Sequence, residues 1–301
     1  IIHTTKPDVI QTWMYHADLI GGVLSRLLNY QNIFWNVRHA KLDRNSSKLL
    51  TIWIAKVCAL LSNIVPKKII YNSEGSKIFH ESLGYSSNKS VVINNGFNLD
   101  EFLPDSKVKK NLRHLYNIGP ATRIFLHVAR WHEDKDHLTC FKALSKLPNE
   151  SDRDWKIFFV GTGMSSINLE LMNHLQAYNL LNNAILIGER SDISNFYNLA
   201  DLTILTSRTE SFPNVLAESM ACSTPCVSSD VGNARNIISK NGWTFRAGDF
   251  EQLSIYLNLS LKEMNEIDSW KQKKKDCRDW ISKNFSIEKF IYSYNNIWRN
   301  T

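Results

Sequence analysis

The sequence predicts an α/β protein made of two Rossmann-like, doubly wound parallel-sheet domains, the first of them incomplete. Three observations carry this expectation. Short β-branched runs alternate with longer helical stretches along the chain, as parallel sheets with crossover helices require. The 301 residues, 43% hydrophobic and 22% charged, suffice for about two cores. Turn residues at Asn94-Asn95-Gly96 and Pro104-Asp105-Ser106 divide the strand–helix pattern into two series.

In the first series, residues 8–13, 33–37, 68–72 and 90–94 read as strands, with helices near 17–28, 46–64 and 74–83. Ser73 reads as structural. The second series has strands at 123–128, 156–160, 184–187, 202–205 and 225–228, with 242–245 as a further candidate. The expected boundaries are 1–103 for the first domain and 104–285 for the second. A last helix over 286–301 returns to the first domain, because Phe290, Tyr294 and Trp298 recur every fourth residue and form one stripe that needs a cover. The chain opens on Ile1, and its first series lacks an opening strand with a glycine-rich loop, so it reads as N-terminally incomplete by roughly 70 residues.

Composition excludes several classes. Five dispersed cysteines with no adjacent histidine argue against a disulfide framework or a zinc site, and fit a reducing cytosol. The run Lys271-Gln272-Lys273-Lys274-Lys275, in a chain of net charge +7, reads as a solvated helix face and not as a nucleic-acid surface. A basic surface that meets anionic headgroups or a diphosphate-bearing substrate fits better. Residues 49–61 fall short of the roughly 18 to 20 apolar residues that span a bilayer, and read as a buried helix in preference to one on a membrane surface. N-x-S/T sequons such as Asn45-Ser46-Ser47 are assigned no function.

In an open α/β sheet, ligands bind beyond the carboxyl ends of the strands, so the loops there are informative. They read Arg130-Trp131-His132-Glu133-Asp134-Lys135, Gly161-Thr162-Gly163, Gly188-Glu189-Arg190 and Ser207-Arg208-Thr209-Glu210-Ser211-Phe212-Pro213-Asn214. Pro213 suits a first helical turn and Ser211 a cap, which aims the backbone N–H groups of Asn214 and Val215, with the positive end of the helix dipole, at a phosphate. Glu210 precedes this helix and Glu218 lies on its second turn. By pattern alone, Glu210 also fits simple complementation of the dipole, while Glu218 lies too deep for that and would otherwise be solvent-exposed, which its apolar neighbours Leu216, Ala217 and Met220 disfavour.

The stretch from Glu210 to Glu218 resembles the E-x7-E motif of family 4 (group 1) retaining glycosyltransferases, which have the two-domain GT-B fold. Arg130 and Lys135 have the spacing of that family's R-x4-K pair, and Ala200-Asp201-Leu202, residues 220–227 and Asp230-Val231-Gly232 are also similar to it. The resemblance covers nearly the whole chain. It implies transfer of a hexose or N-acetylhexosamine from a nucleotide-diphosphate sugar such as a UDP-sugar, with retained configuration and no metal or other cofactor. The implied acceptor is a glycan in cell-surface polysaccharide or lipid-linked oligosaccharide synthesis, met in the cytoplasm or peripherally at the inner membrane face. It gives Glu210 the donor sugar, Glu218 the ribose, and the N–H groups of Phe212, Asn214 and Val215 the diphosphate. Arg130 and Lys135 would neutralise the leaving group, while Gly161, Gly163, Gly188, Glu189 and Arg190 frame the nucleotide. His39, and less directly His16, fall near the family's sugar-contacting histidine. The strings Asp134-Lys135-Asp136 and Asp152-Arg153-Asp154 do not read as metal sites. The alternatives are a non-catalytic nucleotide-sugar-binding protein and a GT-B epimerase or phosphorylase. A dinucleotide oxidoreductase is disfavoured, because Ser166 stands where G-x-G-x-x-G needs its third glycine.

Overall fold

A computed structural model describes residues 2–42, 48–147 and 154–300. The chain divides into two compact units, residues 1–96 with 210–212 and 287–301, and residues 97–209 with 213–286.

The first unit runs α1 (Ile2–Thr5), β1 (Ile10–Trp13), α2 (Met14–Leu27), β2 (Ile33–Val37), α3 (Leu49–Leu61), β3 (Lys68–Tyr71), α4 (Glu74–Ser82) and β4 (Ser90–Val92). Its four strands form one parallel sheet in the order β1-β2-β3-β4. Alternate strand residues point to opposite faces. On one face Ile33, Trp35, Val37, Ile69 and Tyr71 pack with Tyr15, Ala55, Cys58 and Tyr85. On the other, Phe34 and Ile70 pack with Ile93 and Tyr294.

The second unit runs α5 (Ser106–Leu115), β5 (Arg123–Val128), α6 (His137–Leu144), β6 (Trp155–Val160), α7 (Leu169–Ala177), β7 (Ala184–Gly188), α8 (Ile193–Leu199) and β8 (Leu202–Leu205). It continues through α9 (Asn214–Ala221), β9 (Cys226–Ser229), α10 (Ala234–Ile238), β10 (Trp243–Phe245), α11 (Phe250–Glu263) and α12 (Ile267–Phe285). The parallel sheet has the order β10-β9-β8-β5-β6-β7. One of its faces, with Phe125, Ile157, Phe159, Leu202 and Ile204, packs on Phe141, Leu144, Leu171, Leu175, Leu253 and Leu257. The order reverses between β5 and β8, so this pair is the switch point where the carboxyl-end crevice opens.

The last helix, α13 (Ile287–Asn300), belongs to the first unit. Tyr294 is buried with Phe290 and Trp298 beside it; its hydroxyl accepts from Asn36 Nδ2, and Trp298 Nε1 donates to Gln11 Oε1 at 3.0 Å.

Three sequence expectations are corrected. The units part at Gly96/Phe97 and not at the Pro104 turn, because Phe97 N–H donates to Phe285 O (2.9 Å) and Arg278 reaches the carbonyls of Leu99 and Phe102. The helix expected at 46–64 is described from Leu49, and only one stripe of it, Ala55, Cys58 and Ala59, is buried. Its first residues, and the Asn45-Ser46-Ser47 sequon, fall outside the described residues or overlap their edge at 48. The lysine run is not simply solvated: Lys273 pairs with Glu263 (2.7 Å) and lies 4.0 Å from the Trp243 ring, and Lys274 is half-buried with its pKa lowered to about 8 by burial and by Lys109. Among the described residues, no helix is long and apolar enough to cross a membrane.

Under the first sheet, buried Asp18 accepts from Thr12 Oγ1 at 2.6 Å, and burial raises its carboxyl pKa to about 8, against the opposing hydrogen bonds from Thr12 and Asn36. Because the folded form holds this proton longer, its contribution to stability is full below the ordinary value of 3.8 and is lost as pH rises through about 8. Wild-type stability in urea is expected to fall between pH 6.5 and 8 more steeply than that of Asp18→Asn. Parallel slopes in the two proteins would contradict this placement of the proton.

Candidate nucleotide-sugar site

The loops after β5 and β6 are built into one another. Trp131 N–H donates to Thr162 O at 2.8 Å, and Gly161 N–H donates to Gly188 O at 2.8 Å. Gly161 has φ +144°, and a Cβ there would lie 2.2 Å from Ala129 O; Gly163 has φ +81°, and its Cβ would lie 2.8 Å from Trp131 Cβ. Only glycine fits such a crossing. The G-T-G turn thus lets the loop from Ala129 to Asp136 lie directly on it, which fixes the backbone that carries Arg130 and Lys135.

Lys135 ends a 3₁₀ turn, Glu133–Lys135, and Asp136 follows in the left-handed region at φ 47°. Asp136 accepts from Thr139 Oγ1 (2.8 Å) and pairs with Arg208 at 3.4 Å. Thr206 Oγ1 donates to Lys135 O at 2.9 Å and lies 3.1 Å from His127 Nε2. With the Thr206 proton committed to that carbonyl, His127 Nε2 carries the proton it gives to Thr206. Burial, and then the charge of Lys135, lower the pKa of His127 to about 3, so it is neutral. This pair ties β5 and β8 to the lysine's backbone.

Arg130, Lys135, Gly161, Thr162, Glu189, Arg190, Val215 and Glu218 line one cavity of ≈ 610 Å³ with Val128, Ala129, Val160, Ile193 and Tyr197. Arg130 is exposed and Lys135 half-buried. Glu218 is half-buried and its Oε2 accepts from the hydroxyl of Tyr197 at 2.7 Å. Burial raises the carboxyl's pKa against that hydrogen bond, and Glu101 adds to the rise. Glu189 accepts from Thr162 Oγ1 at 3.1 Å, and Arg190 is held in a fork by Asp192 at 2.7 and 2.9 Å. Gly188 (φ +78°) and Gly163 shape the turns without lining the cavity. Chemically this is a pocket lined by three cations, Arg130, Lys135 and Arg190, and two carboxylates, Glu189 and Glu218, with Val215 of helix α9 in its lining.

The start of α9 differs from the sequence reading. Pro213 is the residue before the first helical one, and no side chain caps the helix. Ser211 is not the cap: its hydroxyl donates to Asn72 Oδ1 at 2.5 Å, within the first unit, to which Glu210, Ser211 and Phe212 belong. The positive end of the helix dipole lies at Asn214 and Val215. Asn214 is exposed and Phe212 and Pro213 are buried. In the first unit, His39 follows β2 and its Nδ1 lies 3.1 Å from Lys41 O, while His16 is exposed on the first turn of α2. Ser73 caps α4, accepting from Ser76 N–H at 3.1 Å.

A neighbouring cavity of ≈ 640 Å³ is lined by Trp131, His137, His174, Glu133, Asp136 and Glu170, with Arg208. Its three carboxylates disfavour a diphosphate there. Of the second D-x-D string, Asp152 and Arg153 lie outside the described residues, and Asp154 accepts from Thr122 Oγ1 at 2.5 Å. Sequence reasoning missed Tyr197, His127 and Thr206. Tyr197 sits in an unremarkable helix, and the other two act through partners far away in the chain.

The model of the family described as glycosyl transferases group 1 matches residues 108–276. The chain is 24% identical over 300 residues to the UDP-Gal:alpha-D-GlcNAc-diphosphoundecaprenol alpha-1,3-galactosyltransferase of Escherichia coli, covering 97% of this chain and 75% of that protein. It is 23% identical over 203 residues to the N-acetyl-alpha-D-glucosaminyl L-malate synthase of Bacillus anthracis, covering 66% of this chain and 51% of that one. The fold matches that of Anabaena HepE in complex with UDP and glucose at a TM-score of 0.85 and 20% identity, over 100% of this chain and 80% of the other. Two parallel-sheet units of the GT-B type and a family match over more than half of the sequence lead to one statement: the chain belongs to the group 1 family of glycosyl transferases.

Proposed function

We propose that this glycosyltransferase moves a hexosyl or N-acetylhexosaminyl unit from a UDP-sugar to a glycan acceptor, with retained anomeric configuration and without a metal. The observation that carries the reading is that Arg130, Lys135 and Glu218 line one cavity together with Val215 of α9. Glu218 holds the ribose hydroxyls, the N-terminus of α9 and the two cations hold the diphosphate, and Glu210 binds hydroxyls of the donor sugar. As the bond from the sugar's C1 to the diphosphate oxygen breaks, its electron pair stays on the phosphate. Arg130 and Lys135 stabilise that growing charge. The acceptor hydroxyl oxygen bonds to C1 on the same face and gives its proton to the departing diphosphate oxygen. The UDP in HepE and the UDP-Gal and diphosphoundecaprenol in the name of the Escherichia coli relative support a UDP-sugar donor and a lipid-linked acceptor; we place the encounter with that acceptor at the inner face of the membrane.

The test is incubation with a panel of UDP-sugars and a diphospholipid-linked acceptor analogue, with the product's anomeric configuration read by NMR. A product with the donor's configuration, lost in Glu210→Gln, is expected. An inverted product would overturn the mechanism. Donor binding without transfer would leave a binding protein, and epimerised free donor an epimerase.

A further inference from the structure

The loop from Ala129 to Asp136 divides its side chains between two cavities. Arg130 and Lys135 line the one assigned to the nucleotide, while Trp131, Glu133 and Asp136 line the neighbouring one of ≈ 640 Å³. That volume lies within the range of about 300 to 1,000 Å³ usual for small-molecule sites, and the whole lining belongs to the second unit. Trp131 is the centre of a ring cluster: its centroid lies 4.9 Å from that of His137 and 6.1 Å from that of His174, and Phe141 stacks on it at 6.3 Å. Polar groups stand around these rings. Glu170 Oε2 accepts from Trp131 Nε1 at 3.0 Å, which fixes the indole plane, and Asp136 pairs with Arg208 at 3.4 Å, which leaves the acids in excess by Glu133 and Glu170. His137 lines the cavity too, is only 3% exposed, and its Nε2 has no hydrogen-bond partner. Burial lowers its pKa to about 2, so the ring is neutral. None of these side chains is among those assigned to the nucleotide sugar.

We propose that this cavity is a second carbohydrate subsite, which holds a neutral hexose or N-acetylhexosamine residue of the glycan chain other than the one that reacts. An aromatic face beside hydrogen-bonding groups matches the two surfaces of a pyranose: its C–H face packs on the indole, and its hydroxyls leave from the ring edge. The carboxylates only accept and Arg208 only donates, so the matching ligand must offer both donors and acceptors, as hydroxyls do. A hydroxyl also satisfies His137 Nε2 in either tautomer. Other ligand classes fit less well. The excess of acids repels phosphates, and an apolar ligand would leave carboxylates without partners. Among the described residues, no group of three or more His, Cys, Asp or Glu could hold a metal. An organic cation would meet the acids and rings, but also the Arg208 guanidinium. The subsite deepens the glycan-acceptor reading and rests on it for its role. A sugar bound there touches the same loop that carries Arg130 and Lys135.

Saturation-transfer difference NMR tests it, with maltotetraose, a β-linked galactotetraose and N-acetylchitotetraose as probes, each titrated with and without saturating UDP. The wild type is expected to saturate the ring protons of at least one of these sugars, with an affinity that UDP leaves unchanged. Trp131→Ala is expected to weaken that binding by about tenfold or more, and Trp131→Phe, which keeps an aromatic face, by about threefold. Glu170→Gln with His174→Ala, both on α7 and outside the loop, is expected to weaken it by about tenfold. Circular dichroism and UDP affinity should be unchanged in this α7 variant, which decides the matter even where Trp131→Ala disturbs the loop and weakens UDP binding. Failure of the wild type to saturate any of the sugars, or equal affinities in wild type and α7 variant, overturns the proposal. So does loss of the signal on adding UDP, which would place the sugar in the nucleotide cavity. Binding of spermidine that the α7 variant loses, with no binding of the sugars, overturns it as well and makes the cavity a cation site. Oligosaccharide binding without glycosyl transfer keeps the subsite and removes the function; transfer without oligosaccharide binding does the reverse.

Discussion

Arg130→Ala and Lys135→Ala are each expected to lower turnover by about 10² to 10³, the usual cost of one transition-state donor, with a smaller change in KM for the donor. The reason lies in how the two side chains are delivered. Both project from a loop seated on Gly161 and Gly163, and the lysine's own carbonyl is held by Thr206 and, through it, by His127. Their charges therefore stand in place before the diphosphate departs and need no reorganisation. Steady-state kinetics with saturating acceptor checks this. Unchanged turnover in both variants would remove the phosphate assignment.

Asp201→Ala is expected to cost about 3–5 kcal/mol of stability, the scale for breaking a buried charge cluster from one side. Asp201 is 7% exposed; its Oδ2 accepts from Ile124 N–H at 2.9 Å, and it pairs with Lys109 at 2.6 Å and Arg113 at 3.5 Å. Burial, the largest single effect, opposes its ionisation, but the charge and hydrogen bond of Lys109, the Ile124 N–H and Lys274 together hold the carboxyl below its ordinary pKa. Without it, Lys109, Arg113 and half-buried Lys274 face one another, and the first residues of β5 lose an anchor. Urea denaturation measures the loss. A cost below about 1 kcal/mol, that of a surface pair, would mean the cluster relaxes into water.

The fold was legible because its signals are local. The β-branched runs at 33–37, 123–128 and 202–205 coincide with strands, and the E-x7-E spacing frames the start of α9. The G-T-G turn was legible for a backbone reason, since crossing loops leave no room for a Cβ. What stayed hidden depends on partners remote in sequence. Ser211 looks like a cap, but its hydroxyl goes to Asn72, 139 positions away. The lysine run looks solvated until Glu263 and Trp243 take up Lys273. Residues 49–61 are apolar enough to read as buried, yet only one stripe meets the core. Asp201, noticed only as part of a resemblance, proves to hold β5 and α5 together.

The most direct test of the central claim is calorimetric titration of UDP into the wild type and into Glu218→Ala. The account predicts that the wild type binds UDP and that the variant binds it at least about tenfold more weakly, the loss of a charge-assisted hydrogen bond. Equal affinity of the two proteins for UDP, or no binding to either, would contradict the assignment of this cavity to the nucleotide.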